Sequence, residues 1–187
     1  MNIILFGPPG AGKGTQAKYL IEKFNGFQIS TGEMLRNEIK KDSDIGKLIT
    51  NDMDDGKFVS DEIVNKLIKE VMFDPQKKSK LIFDGYPRSL SQAKNLDLLL
   101  KDSKQKIDAI FFLDVNKKTI IDRIEKRKKI EKRSDDELDT ILKRYDKYMI
   151  TTKPVLDYYS KNPNFYEIDG SLKIEEITAK IEAFLNV

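Results

Sequence analysis

The stretch "GPPGAGKGT", residues 7–15, follows the apolar run "NIILF" (2–6) and leads into a segment with helical periodicity. This order of strand, glycine loop and helix fixes the start of the fold, because glycines let the backbone approach a bound phosphate closely. Successive N–H groups then form an anion cradle, to which the helix N-terminus adds its dipole. An ordinary glycine turn is the alternative, but the strand, spacing, lysine and helix together favour a phosphate-binding loop.

The position after the loop lysine restricts the chemistry. Lys13 would neutralise the β- and γ-phosphates, but Gly14 stands where most such loops have a hydroxyl that binds magnesium. A magnesium ion must then be held mainly by the phosphates and by water, which magnesium retains readily. Asp84, at the end of the run "KLIFD" (80–84), is the carboxylate expected to orient those waters, unless it only caps a helix. Thr15 offers its hydroxyl to a phosphate oxygen.

Short apolar runs separated by helical segments predict the fold. Between the runs, "DEIVNKLIKEVMF" (61–73) carries one apolar stripe at helical spacing. Strands that alternate with helices form a parallel sheet covered on both sides, so we expect an α/β, three-layer fold with a five-stranded parallel sheet. A length of 187 residues suits one domain. The runs are "NIILF" (2–6), "FQIS" (27–30), "KLIFD" (80–84), "AIFFLDV" (109–115) and "FYEI" (165–168).

The composition excludes several classes of site. The chain has no cysteine and no histidine, which excludes disulfides, thiolate metal sites and a histidine general base. A net charge of +3 is too small to argue for nucleic-acid binding by itself. No run approaches the roughly 20 apolar residues of a membrane span, and a cytoplasmic location is expected. No Asn-Lys-x-Asp motif is present to read guanine, which sets GTPases aside.

A set of motifs in fixed order now identifies a family resemblance. The chain resembles the adenylate kinases of the nucleoside monophosphate kinase family nearly from end to end, and Gly14 is the usual residue of that family. The resemblance implies reversible transfer of the γ-phosphoryl group of Mg-ATP to AMP, giving two ADP. An anionic phosphate acceptor needs no general base, so the lack of histidine is compatible with this reaction. The motifs are "GPPGAGKGTQA", "ISTGEMLR", "GKFVSDEIV", "FDGYPRSLSQA", "RIEKR", "RSDDE" and "LKRY".

Arginines are the main catalytic groups that the resemblance implies, since guanidinium forks bind phosphate bidentately and stay charged when enclosed. Arg123 and Arg127 lie four residues apart and share a helix face. A solvated basic surface, or a nucleic-acid patch over 123–133, is the alternative. The implied catalytic residues are Lys13, Arg88, Arg123, Arg133 and Arg144. The implied ATP-binding residues are Gly10, Ala11, Gly12, Lys13, Gly14, Thr15, Arg123, Arg127 and Leu172, the last through its backbone carbonyl near adenine.

Gln92 is the residue expected to recognise the acceptor base. A glutamine amide donates and accepts at once, which suits the paired donor and acceptor atoms of adenine. In the related uridylate/cytidylate kinases, the residue that matches Gln92 is asparagine. Ser30 with Glu33, and Ser89 with Gln92, also fit a helix capping box, which is the structural alternative. The implied AMP-binding residues are Thr31, Arg36, Lys57, Phe58, Val59, Gly85, Tyr86, Pro87, Arg88, Gln92, Arg133 and Arg144.

The resemblance also implies how the domain is divided. We expect a core (1–29, 60–126 and 134–187), an NMP-binding segment (30–59) that holds the nucleoside monophosphate, and a short lid (127–133). Lys128 and Lys132 stand where short-lid relatives have glycine, so a different closure rate is expected. The expected cofactor is Mg²⁺ without zinc, and the expected partners are ATP, AMP and ADP, with no nucleic acid, no membrane and a monomeric chain. A UMP/CMP kinase of the same fold, a nucleic-acid-binding ATPase module and a catalytically weak nucleotide sensor are the competing interpretations.

Overall fold

The computed structural model describes residues 1–74, 80–131 and 137–186. Within these ranges, five parallel strands form one sheet in the order β2-β3-β1-β4-β5. Every strand falls on one of the apolar runs, which confirms the predicted α/β sheet. The strands are Ile3–Phe6 (β1), Phe27–Ser30 (β2), Leu81–Asp84 (β3), Ala109–Asp114 (β4) and Phe165–Asp169 (β5).

Helices connect the strands and cover the sheet on both faces. In the described part of the chain they run over Lys13–Phe24 (α1), Thr31–Lys40 (α2), Asp44–Asp54 (α3), Asp61–Met72 (α4), Leu90–Asp102 (α5), Lys117–Glu131 (α6), Leu138–Lys147 (α7), Lys153–Tyr159 (α8) and Ile174–Leu185 (α9). A five-residue π-helix, Tyr148–Thr152, joins α7 to α8.

The core lies on both faces of the sheet because successive side chains of a strand point to opposite sides. In β1, Ile4 and Phe6 pack into the cluster formed with α2, α3, α4, α5 and α8. Ile3 and Leu5 pack into the cluster on the other face, formed with α1, α6, α7 and α9. All four side chains are at most 3% exposed. A strand buried on both faces explains why the sequence shows a continuous apolar run there.

Serine caps begin several helices. The Ser30 hydroxyl accepts from the Glu33 N–H at the start of α2, and Ser89 accepts from the Gln92 N–H at the start of α5. Both serines of the proposed capping boxes therefore act as N-caps. The sequence "SDDE" (134–137) fits the same Ser-x-x-Glu pattern, but Ser134 lies outside the described residues.

The topology gathers the candidate site at one edge. In a parallel sheet all carboxyl ends meet at the same edge, and ligands of open α/β sheets bind there. β1 ends at the phosphate loop, β2 leads into α2, and β3 ends at Asp84. The sheet therefore brings residues that are far apart in the sequence to one cleft.

Candidate active site

The loop after β1 has the backbone geometry of an anion cradle. Gly10 and Gly12 have φ of +79° and +97°, a region that side chains with Cβ rarely adopt. A Cβ on Gly10 would also lie 2.9 Å from Cγ1 of Ile124 in α6. Helix α1 begins at Lys13 directly after Gly12, so the positive end of its dipole lies at the cleft, where it favours an anion.

Lys13 is enclosed within this loop. Its ammonium group donates to the carbonyl oxygens of Gly7 and Pro8, at 2.8 and 3.0 Å. Burial lowers the pKa of Lys13 to about 8, while the Asp84 carboxylate opposes the shift and nearby arginines add to it. A cation held between loop carbonyls is poised to transfer its hydrogen bonds to a phosphate.

Arginines surround the cleft beside the loop. Arg123 and Arg127 lie on one face of α6, partly buried, while Lys126, Lys128 and Lys129 of the same helix are exposed. The guanidinium of Arg123 donates to the carbonyl of Ala11 at 3.4 Å. These three lysines thus form the solvated face of α6, opposite the two arginines. The lining of the cleft includes Gly10, Ala11, Gly12, Lys13, Gly14, Thr15, Arg36, Asp84, Arg88, Arg123, Arg127 and Arg144.

Asp84 lies at the cleft edge next to Gly14. A Cβ on Gly14 would be 3.6 Å from the Asp84 carboxylate, and that carboxylate accepts from the Gln28 side chain at 3.0 Å. Asp84 is bonded to β2 rather than to a helix start, which disfavours the capping alternative. Within residues 1–74, 80–131 and 137–186, no cluster of three or more acidic side chains could hold a metal directly. A single carboxylate beside the phosphate loop is a donor that would suit an ion held through water.

A second cavity adjoins the first beside residues 30–59, the predicted NMP-binding segment. The Thr31 hydroxyl and the Arg88 guanidinium both donate to the Gly85 carbonyl, at 2.8 and 2.7 Å. The Arg88 guanidinium also lies 5.2 Å from the centre of the Phe58 ring, a cation–π distance. These contacts place a cation, a hydroxyl and an aromatic ring in one cavity. Its lining includes Thr31, Arg36, Lys57, Phe58, Val59, Gly85, Arg88, Gln92 and Arg144.

Gln92 is almost fully buried at the wall of this cavity, with 3% of its surface exposed. Its amide oxygen accepts from the Arg88 backbone N–H at 2.7 Å, and its amide nitrogen donates to Asp61 at 2.7 Å. In a complete capping box, the amide would instead bond the backbone of Ser89, the N-cap residue. Only the serine half of the box is therefore present.

Other predicted residues take different positions. Tyr86 is buried in the core, where its hydroxyl donates to Asn65 and accepts from Asn95. Pro87 lines a third cavity, between the phosphate loop and Arg88.

Leu172 packs against the core beyond β5, and its proposed contact with adenine stays a prediction. Of the predicted lid (127–133), residues 127–131 form the end of α6. Residues 132 and 133, including Arg133, lie outside the described residues.

The sequence reasoning missed several residues at the cleft. Tyr148, on the π-helix, lines the cavity beside Lys13, and its buried hydroxyl has no hydrogen-bond partner among the described residues. Burial raises the pKa of that hydroxyl, so it remains a donor. Thr152, at the other end of the π-helix, donates to the Arg88 carbonyl at 3.1 Å. A π-helix often marks a functional site, but no local sequence pattern announces one.

The fold and this site define a class: a phosphate-loop α/β protein that binds nucleotides at the carboxyl edge of its sheet. The adenylate kinase family model matches residues 5–164. The chain belongs to the adenylate kinase family.

Curated relatives agree with this assignment. The chain is 45% identical to the adenylate kinase of Pelagibacter ubique (strain HTCC1062), with full coverage of both chains over an alignment of 213 positions. It is 41% identical to that of Caulobacter sp. (strain K31), covering 100% of this chain and 99% of the relative. It is 38% identical to that of Archaeoglobus fulgidus, covering 99% and 98%. The first alignment is longer than this chain, so that relative has residues that this chain lacks.

A helix that spans a membrane must be both long and apolar. None of the helices within residues 1–74, 80–131 and 137–186 is both long and apolar enough to span a membrane.

Proposed function

We propose that this protein transfers the γ-phosphoryl group of Mg-ATP reversibly to AMP, giving two ADP. The observation that carries the proposal is the cleft beside the phosphate loop, where Lys13 and five arginines from four parts of the fold line one space. Phosphoryl transfer depends on positioning and on neutralising charge spread over the phosphate oxygens. The chain supplies these cations and needs no general base.

The positions of the cations support a division of roles. Arg123 and Arg127 extend from α6 beside the loop, where ATP phosphates would lie. Arg36 and Arg88 also line the neighbouring cavity, where they would hold the AMP phosphate. Arg144 lines both spaces as well, and the family pattern assigns it to the region of the transferring group. Arg133 is assigned to the same group by the family pattern.

Asp84 would hold magnesium through water. Adenylate kinases use Mg²⁺ with ATP, and a hydrated ion suits a loop that has Gly14 in place of a hydroxyl. The bound ion would supply charge neutralisation between the phosphates. Asp84 would orient its waters, and the chain offers no cysteine or histidine for zinc.

AMP is the proposed acceptor, with Gln92 and Thr31 reading its base. The relatives are named adenylate kinases, which does not favour the UMP/CMP alternative. The NMP-binding segment (30–59) and the lid (127–133) would close over the two nucleotides and exclude water, which otherwise hydrolyses ATP. That the enzyme acts as a cytoplasmic monomer stays a prediction.

The test is product formation from Mg-ATP with AMP, UMP, CMP or GMP, with a control that lacks an acceptor. We expect rapid ADP formation with AMP alone. Faster turnover of UMP or CMP would make this a pyrimidine monophosphate kinase. No transfer to any acceptor would contradict the kinase function and favour the nucleic-acid-binding or nucleotide-sensor alternatives.

A further inference from the structure

We propose that Asp61 sets the purine specificity of this enzyme by fixing the orientation of the Gln92 side-chain amide. The inference rests on the proposed function, in which Gln92 reads the acceptor base. Asp61 is the first residue of α4 and lies 31 positions before Gln92, which is on α5. Asp61 does not line the second cavity, in which the acceptor nucleotide would bind and which is called the acceptor cavity below. It would act through Gln92 and is therefore a positioning residue.

Two partners hold the Gln92 amide, one at each end. The backbone N–H of Arg88 donates to the amide oxygen at 2.7 Å. The amide nitrogen donates to Oδ1 of Asp61, also at 2.7 Å. Both distances are short for bonds from nitrogen to oxygen, and Gln92 is only 3% exposed, so water competes little for either bond.

The chemistry of these partners permits one orientation only. A backbone N–H can only donate, and an ionised carboxylate can only accept. Rotating the amide by 180° would set its nitrogen against the Arg88 N–H and its oxygen against the Asp61 carboxylate. Two favourable bonds in a buried site would then become two repulsive contacts.

The fixed amide still has one N–H and one oxygen lone pair to offer a base. Adenine presents an acceptor at N1 and an amino donor at N6, and this pattern matches one donor beside one acceptor. Hypoxanthine and guanine present the reverse, an N1–H donor and an O6 acceptor. An amide that can turn over can serve either pattern, whereas a locked amide serves adenine alone.

Asp61 is itself held in place. The Ser89 hydroxyl donates to Oδ2 of Asp61 at 2.6 Å and accepts from the Gln92 backbone N–H at 3.1 Å. The two carboxylate oxygens are thus divided between Ser89 and Gln92. An asparagine at 61 has an NH₂ donor in place of one of these two oxygens, so in this geometry it can accept only one of the two bonds and leaves the Gln92 amide less constrained.

A purely structural role for Asp61 makes a different prediction. Asp61 and Glu62 both lie in the first turn of α4, where a carboxylate interacts favourably with the helix dipole. Glu62 is exposed and provides a matched control, because Glu62→Gln removes the same charge from the same helix start. A structural role would let both substitutions lower stability without changing the choice of base.

The experiment measures kcat/KM with AMP and with IMP for the wild type, Asp61→Asn, Asp61→Ser and Glu62→Gln. The ratio of the two values on one preparation does not depend on the fraction of folded enzyme. We expect both Asp61 variants to narrow the AMP-to-IMP ratio by about tenfold, the effect of losing one buried hydrogen bond to a charged group. Glu62→Gln should keep the wild-type ratio.

A second comparison tests whether Asp61 acts through Gln92. In a Gln92→Ala background, Asp61→Asn should change the ratio no further. The inference would be overturned if the AMP-to-IMP ratio of Asp61→Asn stayed within twofold of the wild-type ratio. It would also be overturned if Asp61→Asn changed this ratio as much in the Gln92→Ala background as in the wild type. Failure of the wild type to phosphorylate AMP would overturn the proposed function as well, and it is visible before any variant is compared.

Discussion

Lys13 combines a position in the phosphate loop with an environment that is unfavourable for its charge. Its ammonium is enclosed by the loop, and burial lowers its pKa to about 8 from a usual value of 10.5. Because the pKa in the folded protein is the lower one, the cost of burying the charge is fully present below about pH 8. That cost disappears as the pH rises from about 8 to about 10.5.

The stability of the folded protein should report this shift. We expect the free energy of unfolding of the wild type to rise relative to Lys13→Met by on the order of 2 kcal/mol between pH 7.5 and pH 10. Urea denaturation of both proteins across this range measures the difference. Lys69→Met, which removes an exposed lysine of α4, should show no such trend relative to the wild type. A flat difference between wild type and Lys13→Met would contradict the lowered pKa.

Single residues also show where sequence reasoning succeeds and fails. Lys13 and the arginine pair of α6 were predicted because their spacing along the chain is itself the signal. Asp61 could be interpreted only as a helix start, since its partner Gln92 lies 31 positions further along the chain, on another helix. Tyr148 was missed because an aromatic residue at the end of a helix is typical of a core position.

At the scale of elements, α2 and α3 meet at an unusually close contact. A Cβ on Gly46, in the first turn of α3, would lie 2.2 Å from the Glu38 carbonyl oxygen in α2. The clash is with the backbone, so a change of rotamer cannot relieve it. The close approach of the two helices therefore requires glycine at this position.

Gly46→Ala should separate packing from helix propensity. Alanine in an exposed helix position stabilises by about 1 kcal/mol relative to glycine. For Gly46→Ala we expect the free energy of unfolding to fall by about 3 kcal/mol, because the two helices must move apart. Chemical denaturation measures this, with Asn51→Ala on the exposed side of α3 as the control that should be neutral or stabilising. A Gly46→Ala variant as stable as wild type would show that the two helices separate readily.

Elements were the most predictable level of this structure. Buried parallel strands leave continuous apolar runs, and serine caps mark the starts of α2 and α5. The predicted lid was harder to define, because "RKKIEK" (127–132) has no glycine or proline to end a helix. The structure continues α6 to Glu131, and Lys128 forms an ion pair with Glu137 at 2.7 Å.

At the scale of the whole molecule, the NMP-binding segment touches the helix that carries Arg144. The Thr140 hydroxyl of α7 donates to the Asp54 carbonyl at the end of α3, at 3.3 Å. A Cβ on Gly56 would lie 2.9 Å from the Thr140 carbonyl. The acceptor cavity is thus closed by a contact between two distant parts of the chain, which no sequence pattern predicts.

Thr140→Val tests whether this contact supports acceptor binding. Valine keeps the shape of the side chain but removes one hydrogen bond, which is worth about 1 kcal/mol. We expect AMP affinity to fall by about fivefold and ATP affinity to stay the same, as measured by calorimetric titration of each nucleotide. Thr178→Val on α9, away from the cleft, should change neither affinity. An equal loss for both nucleotides would contradict the assignment of this contact to the AMP side.

The arrangement of Lys13 also bears on the search for inhibitors. Two peptide oxygens of the loop accept hydrogen bonds from the Lys13 ammonium group, so a compound that takes their place must replace those bonds. A neutral compound placed there would exchange one dipole for another and gain little. Compounds with an anionic group that draws the Lys13 ammonium group away from the loop carbonyls should bind better. A screening library without acidic compounds would therefore miss ligands for this ammonium group.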